Sequence, residues 1–260
     1  MTSELDRLFE RTRAEQRAAL IGYLPAGYPT VEGSKDLLAA TIDGGADLVE
    51  VGVPYSDPVM DGPTIQSAAD AALRAGFRLK HLFEVVESIS ARGGRAVVMT
   101  YWNPVHRYGV DAFARDLAAA GGLGMITPDL TPDSAQDWLA ASEAHGLDRI
   151  FLVSPSSSEE RIDLTVKAGS GFVYATAVMG VTGARESVGA GAAELVRRTR
   201  AHTDLPVGVG LGVRSGEQAA EVAGFADGVI VGSALVTKAA EGAEALRALT
   251  AELAEGVRKA

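Results

Sequence analysis

The 260-residue chain contains no cysteine. That removes disulfides, a thiolate nucleophile and cysteine metal ligands, and makes an unstapled cytoplasmic protein the default. No stretch approaches the roughly 18 apolar residues of a membrane span. The charged N-terminal run Ser3 to Arg11 is not a signal peptide. Positive charge is scarce: 24 basic residues face 34 acidic ones, a formal net charge of −10. Such a chain is a poor partner for nucleic acid or an anionic membrane. The four histidines, His81, His106, His145 and His202, have no ligand spacing, so metal-dependent chemistry lacks its ligands. His106 alone follows a predicted strand, and a surface position is its plainer reading. None of the five lysines (Lys35, Lys80, Lys167, Lys238, Lys259) falls in a predicted strand, which leaves a Schiff base without a nucleophile. There is no G-x-S-x-G elbow and no dinucleotide fingerprint.

What is abundant is glycine, with 30 residues. No collagen-like period or linker block absorbs them, so their positions carry information. Short β-branched runs at 19–24, 48–53, 97–102, 124–127, 150–153, 172–177, 207–213 and 229–231 read as strands. Amphipathic stretches at 35–42, 65–74, 82–90, 110–119, 135–144, 159–166, 192–201 and 216–222 read as helices between them. Eight alternating units in about 250 residues predict a closed (β/α)8 TIM barrel with parallel strands and right-handed crossovers. Leu5, Leu8 and Phe9 add a short N-terminal helix. The stretch 239–260 reads as a solvated helix. An open doubly wound sheet would place glycines after the first strand, where Pro25-Ala26-Gly27-Tyr28-Pro29 stands instead. No linker or composition break interrupts residues 1–260, so one domain is expected.

In a barrel the chemistry sits in the loops after the strands. In the second strand Val49, Val51 and Val53 share one face, and Leu48, Glu50 and Gly52 share the other. The valines suit the helix side, which points Glu50 into the barrel. A buried glutamate needs a partner or a function. The only basic residue near a strand end is Arg214. Desolvation would raise the Glu50 pKa, which suits a general acid. The following loop holds Asp57 and Asp61 beside prolines and a glycine, where turn formation alone would explain either. Glu50 and Asp61 at one mouth form a pair that divides acid and base roles.

The seventh and eighth windows, Gly208-Val209-Gly210-Leu211-Gly212 and Gly232-Ser233, lie where barrels hold phosphate on backbone N–H groups. The sixth window, Gly180 to Gly189, has the length and glycines of a mobile lid or of a disordered connection. Tyr23, Met99, Tyr101, Ile126 and Tyr174 are placed to hold a flat apolar group, although each alone is an ordinary core residue. What remains is carboxylate acid–base chemistry on a phosphorylated substrate.

Glu50-Val51-Gly52-Val53-Pro54-Tyr55-Ser56-Asp57-Pro58, followed by Asp61-Gly62-Pro63-Thr64-Ile65-Gln66, resembles the signature of the tryptophan synthase α-subunit family. Gly180-Val181-Thr182-Gly183 is similar to that family's sixth-strand loop, and the likeness spans nearly the whole chain. It implies a lyase of tryptophan biosynthesis that cleaves indole-3-glycerol phosphate to indole and glyceraldehyde 3-phosphate. The indole ring would be the electron sink, so neither lysine nor metal is needed. The likeness assigns Glu50 and Asp61 as the catalytic pair and Tyr23, Ile65, Met99, Ile126 and Tyr174 to the indole pocket, beside Tyr101. It assigns Gly183, Gly210, Gly212, Gly232 and Ser233 to the phosphate, Thr182 to substrate binding, and an Asp57–Thr182 contact to closure. It implies no cofactor in this chain, and a pyridoxal-phosphate β-subunit as partner in a cytoplasmic α2β2 heterotetramer. The chain departs from the family pattern at Val178, Pro25 and Gly121-Gly122-Leu123-Gly124. Alternatives are a stand-alone lyase of the same chemistry, another phosphosugar isomerase or epimerase, or a non-catalytic phosphate-ligand module.

Overall fold

The computed structural model describes residues 2–176 and 190–259. The predicted sixth-window loop, with Val178, Thr182 and Gly183, therefore lies outside the described residues. Nine strands are described: β1 (Ala19–Pro25), β2 (Leu48–Gly52), β3 (Ala96–Met99), β4 (Gly124–Ile126), β5 (Asp148–Ile150), β6 (Leu152–Val153), β7 (Val173–Thr176), β8 (Val207–Gly210) and β9 (Gly228–Val231). Their order is β5-β4-β3-β2-β1-β9-β8-β7-β6, and every pairing is parallel.

The two ends of that order meet at one residue. β5 pairs only with β4, β6 pairs only with β7, and Phe151 alone separates them. The Tyr174 N–H donates to the Phe151 carbonyl at 3.1 Å, carrying the ladder across the gap. β5 and β6 are thus one interrupted fifth strand that changes partner along its length, and the order closes into the expected barrel. β7, β8 and β9 are its sixth, seventh and eighth staves.

Period-two alternation sorts the strand side chains into two cores. Leu48, Val97, Ile126, Ile150, Phe172 and Ile230 fill the barrel interior. Val49, Val51, Val98, Val207, Val209 and Val229 face the helices. The bottom of the interior is plugged by α1 (Glu4–Ala14), whose Leu5, Leu8 and Phe9 join the inner cluster. Ser3 caps this helix by accepting from the Asp6 N–H, and Asp6 returns the bond to the Ser3 N–H, which fixes where the plug begins.

α3 (Pro63–Arg74) and α4 (Lys80–Ser90) both occupy the crossover between β2 and β3, where the helical stretches 65–74 and 82–90 place them, so helices and strands do not alternate one for one. The outer layer differs from expectation in two ways. α12 (Ala243–Val257), expected to be solvated, instead buries Leu246, Leu253, Ala254 and Val257. Its apolar positions recur at helical spacing, and that stripe packs against α10 (Gly216–Ala223) and α2 (Val31–Asp43). Two short helices were not anticipated: α5 (Trp102–Tyr108) and α11 (Ser233–Ala239). They begin at strand ends predicted to run further or to stop in loops. β3 stops at Met99 and Tyr101 caps α5, while β8 stops at Gly210 because Gly212, at φ 71°, turns the chain out of the sheet.

Candidate active site

Glu50 sits in the middle of β2, in register with Tyr23 of β1 and Val97 of β3. Its neighbours Val49 and Val51 belong to the outer core, so the carboxyl enters the barrel. Glu50 is 1% exposed, and its Oε2 has no hydrogen-bond partner. No ion pair among the described residues involves it, and Arg214 is exposed. Burial pushes the Glu50 pKa from 4.5 to about 8, with a smaller push from the Asp61 charge. The group is therefore a neutral acid near neutral pH, held with its proton available.

Asp61 arrives from the other side, on the loop between β2 and α3. It is half-buried; burial raises its pKa, and a hydrogen bond from Tyr101 opposes the rise. Glu50 and Asp61 thus sit at one mouth in different settings, one enclosed and unpartnered, the other steadied by a phenol. Gly62 caps α3 with Pro63 in its first turn, so the chain leaves Asp61 directly into a helix.

Two tyrosines flank Glu50. Burial first, and then the nearby Glu50 charge, hold Tyr174 well above its usual range. Tyr23 is held up by burial, Asp61 and Glu50 in that order. Both rings fit because the facing residues are glycines. A Cβ on Gly52 would collide with the Tyr23 hydroxyl, and a Cβ on Gly210 would lie 2.6 Å from the Tyr174 hydroxyl. Ile65, in the first turns of α3, and Gly232, just after β9, approach Tyr23: a Cβ on Gly232 would lie 3.8 Å from the Ile65 Cδ1 and 3.7 Å from the Tyr23 Cδ1. Met99 and Ile126, paired in register, line the interior with Tyr174.

Gly212 and Gly232-Ser233 follow β8 and β9, which are paired neighbours. Ser233 opens α11. Asp57 is exposed, and its carboxylate accepts from the Ser56 hydroxyl at 2.6 Å. Thr182 and Gly183 lie outside the described residues, so their expected contacts have no counterpart here. His106 is exposed, in keeping with a surface residue.

Sequence reasoning missed the support of the rim. Asn103 donates to the Tyr55 hydroxyl at 3.0 Å, and Asp129 accepts the Trp102 N–H at 2.9 Å. Both contacts depend on α5, so no sequence pattern around these residues could have disclosed them. Gly52 was readable, since it shares the inward face with Glu50.

The family model for the tryptophan synthase alpha chain matches residues 9–260. The chain is 64% identical over 258 residues to the tryptophan synthase alpha chain of Nocardia farcinica, covering 99% of this chain and 97% of the relative. It is 66% identical over 256 residues to that of Mycobacterium tuberculosis, covering 98% and 95%. A solved structure of Mycobacterium tuberculosis tryptophan synthase superposes with a TM-score of 0.96 at 65% identity, covering 99% of both chains. The alpha subunit from Legionella pneumophila, 30% identical, still superposes at 0.90 over the full length of both chains.

Proposed function

The chain belongs to the tryptophan synthase alpha chain family, and we propose that it cleaves indole-3-glycerol phosphate into indole and glyceraldehyde 3-phosphate. The observation that carries this reading is Glu50: an enclosed, uncharged carboxylic acid with a free oxygen, beside a second carboxylate in a different setting. The Glu50 proton passes to C3 of the indole ring, leaving an indolenine with positive charge on nitrogen. Asp61 accepts the ring N–H and stabilises that charge. A base, the Glu50 carboxylate just formed, takes the proton of the glycerol hydroxyl. The carbon–carbon bond then breaks, its electron pair returns to the ring, and the new carbonyl leaves with the aldehyde. One proton enters and one leaves, so the acid is regenerated.

Tyr23, Ile65, Met99, Ile126 and Tyr174 enclose the indole, with Tyr101 at the rim. Gly210, Gly212, Gly232 and Ser233 hold the phosphate, together with Gly183. Backbone N–H groups freed by glycine do this in a chain of net charge −10 without a lysine. The family likeness assigns Asp57 and Thr182 to loop closure, with Thr182 outside the described residues. The name shared by the relatives, alpha chain, points to a second kind of chain. We assign that partner as a β-subunit carrying pyridoxal phosphate, in an α2β2 complex in the cytoplasm. No described helix is long and apolar enough to cross a membrane.

The test is indole release from indole-3-glycerol phosphate, with and without a cognate β-subunit. Indole release, accelerated by the β-subunit, is expected. No indole under either condition overturns the lyase, and a rate indifferent to added β-subunit overturns the partnership.

A further inference from the structure

Tyr101 was expected to be a wall of the indole pocket, but its hydroxyl is occupied elsewhere. The residue is 5% exposed and lies between β3 and α5, where it caps the helix. Its ring packs against Tyr55, with centroids 5.4 Å apart. Its oxygen accepts the N–H of Val59 at 3.1 Å and of Met60 at 2.9 Å. A phenol oxygen has two lone pairs and one proton. The Asp61 N–H also faces this oxygen, and with its lone pairs turned to backbone donors the phenol keeps its proton for the Asp61 carboxylate, whose pKa a Tyr101 hydrogen bond holds down.

We propose that Tyr101 is a positioning residue: its hydroxyl ties the loop after β2 to the rim of β3 and aims the Asp61 carboxylate at the reacting ring. This rests on the lyase reading above. Residues 55–61 form no helix or strand, and Val59 at the tip is 75% exposed. The main chain of Asp61 is held by the Gln66 Nε2, which donates to its carbonyl at 2.7 Å, and by its own N–H on the Tyr101 oxygen. Those bonds hold the main chain and leave the carboxylate unaimed. Among the described residues the groups facing the carboxylate are Glu50 from β2, Tyr23 from β1 and Tyr101, and no ion pair includes Asp61. Tyr101 is thus the one of these three placed to favour the charged form, because Glu50 and Tyr23 bring negative charge or none. An aspartate that must accept a ring N–H and balance a cationic indolenine works only when ionised.

The experiment uses the full chain and its Tyr101→Phe variant, which keeps the ring and its packing on Tyr55. A hydrogen bond to a charged group corresponds to a loss of about 10- to 100-fold in kcat. KM is expected to stay within about threefold, and the acidic limb of kcat/KM to move upward. In an Asp61→Asn background the same substitution should cost less than about threefold. Carbon-13 titration of the Asp61 carboxyl reads the aim without turnover, and its midpoint should rise in Tyr101→Phe. That arm stands even if indole release fails, so loss of the lyase reading and loss of this inference are separable. An unmoved Asp61 titration, a kcat within about twofold of the parent, or an equal loss in the Asp61→Asn background would each overturn the positioning role.

Discussion

At the strand-start end of the barrel, Asp47 is buried with a side chain only 6% exposed, yet it is held as an anion. Burial pushes its pKa up, but the Arg17 hydrogen bond, the Leu20 N–H and the Arg17 charge together bring it below the usual range. Arg17 grips both oxygens, at 2.7 and 2.8 Å. Asp227 repeats the arrangement: burial is outweighed by the Val207 N–H and the Arg200 and Arg13 side chains. At the opposite mouth Glu50 is equally enclosed and Asp61 half-enclosed, with no cation on either among the described residues, and both move upward. Burial is common to the two ends. What differs is the partner, and it separates carboxylates that hold the fold from carboxylates that keep a proton to give.

The largest effect expected from breaking this contrast is at Glu50. Glu50→Gln keeps the shape and removes the proton, so steady-state indole release should fall about 10²- to 10⁴-fold while ligand affinity barely changes. Its stability should move the other way. Between pH 4.5 and about 8 the glutamate is ionised in the unfolded chain and neutral in the folded one. The parent therefore loses stability as pH rises through that window, and the glutamine variant does not. Thermal melts should show the variant about 5–10 °C more stable at pH 9 and nearly level with the parent at pH 4.5.

Asp47→Asn is the mirror experiment. It removes the anion that grips Arg17 and leaves the guanidinium with Glu15 and the Ala18 carbonyl, so it should cost about 1.5–3 kcal/mol in urea unfolding at neutral pH, with kcat per folded molecule nearly unchanged. Because the Asp47 pKa is depressed, its contribution is present above the ordinary aspartate range and is lost as pH falls through the folded value. The difference between parent and variant should therefore shrink in acid. A kcat loss matching that of Glu50→Gln would erase the distinction between the two ends.

Gly212→Val is the mildest of the three. At φ 71° a β-branched residue is strained, and the backbone after β8 must shift. Affinity for glycerol phosphate, read by calorimetry, should weaken about tenfold, with the chemistry of bound substrate altered less. Unchanged affinity would remove Gly212 from the phosphate site.

Much of the barrel was legible because its strands are short apolar runs with glycine at their ends. The inward aim of Glu50 followed from alternation alone, since Val49 and Val51 had to face the helices. Three features were not legible, each for a physical reason. The partner switch at Phe151 depends on which strand lies on either side, which local pattern does not encode. The burial of α12 depends on α2 and α10 offering a surface, while its own composition is equally suited to solvent. The direction of the Tyr101 hydroxyl depends on two backbone N–H groups some forty residues earlier in the chain, so the sequence showed an aromatic ring where the fold uses a polar tip.

An enclosed carboxyl with no cation beside it among the described residues makes Glu50 the proton donor for carbon–carbon cleavage. The most direct measurement is kcat/KM for indole release from indole-3-glycerol phosphate as a function of pH. It should decline as pH rises through about 8, where Glu50 loses its proton. A rate that stays level from pH 7 to 10, with the protein folded throughout, would contradict it.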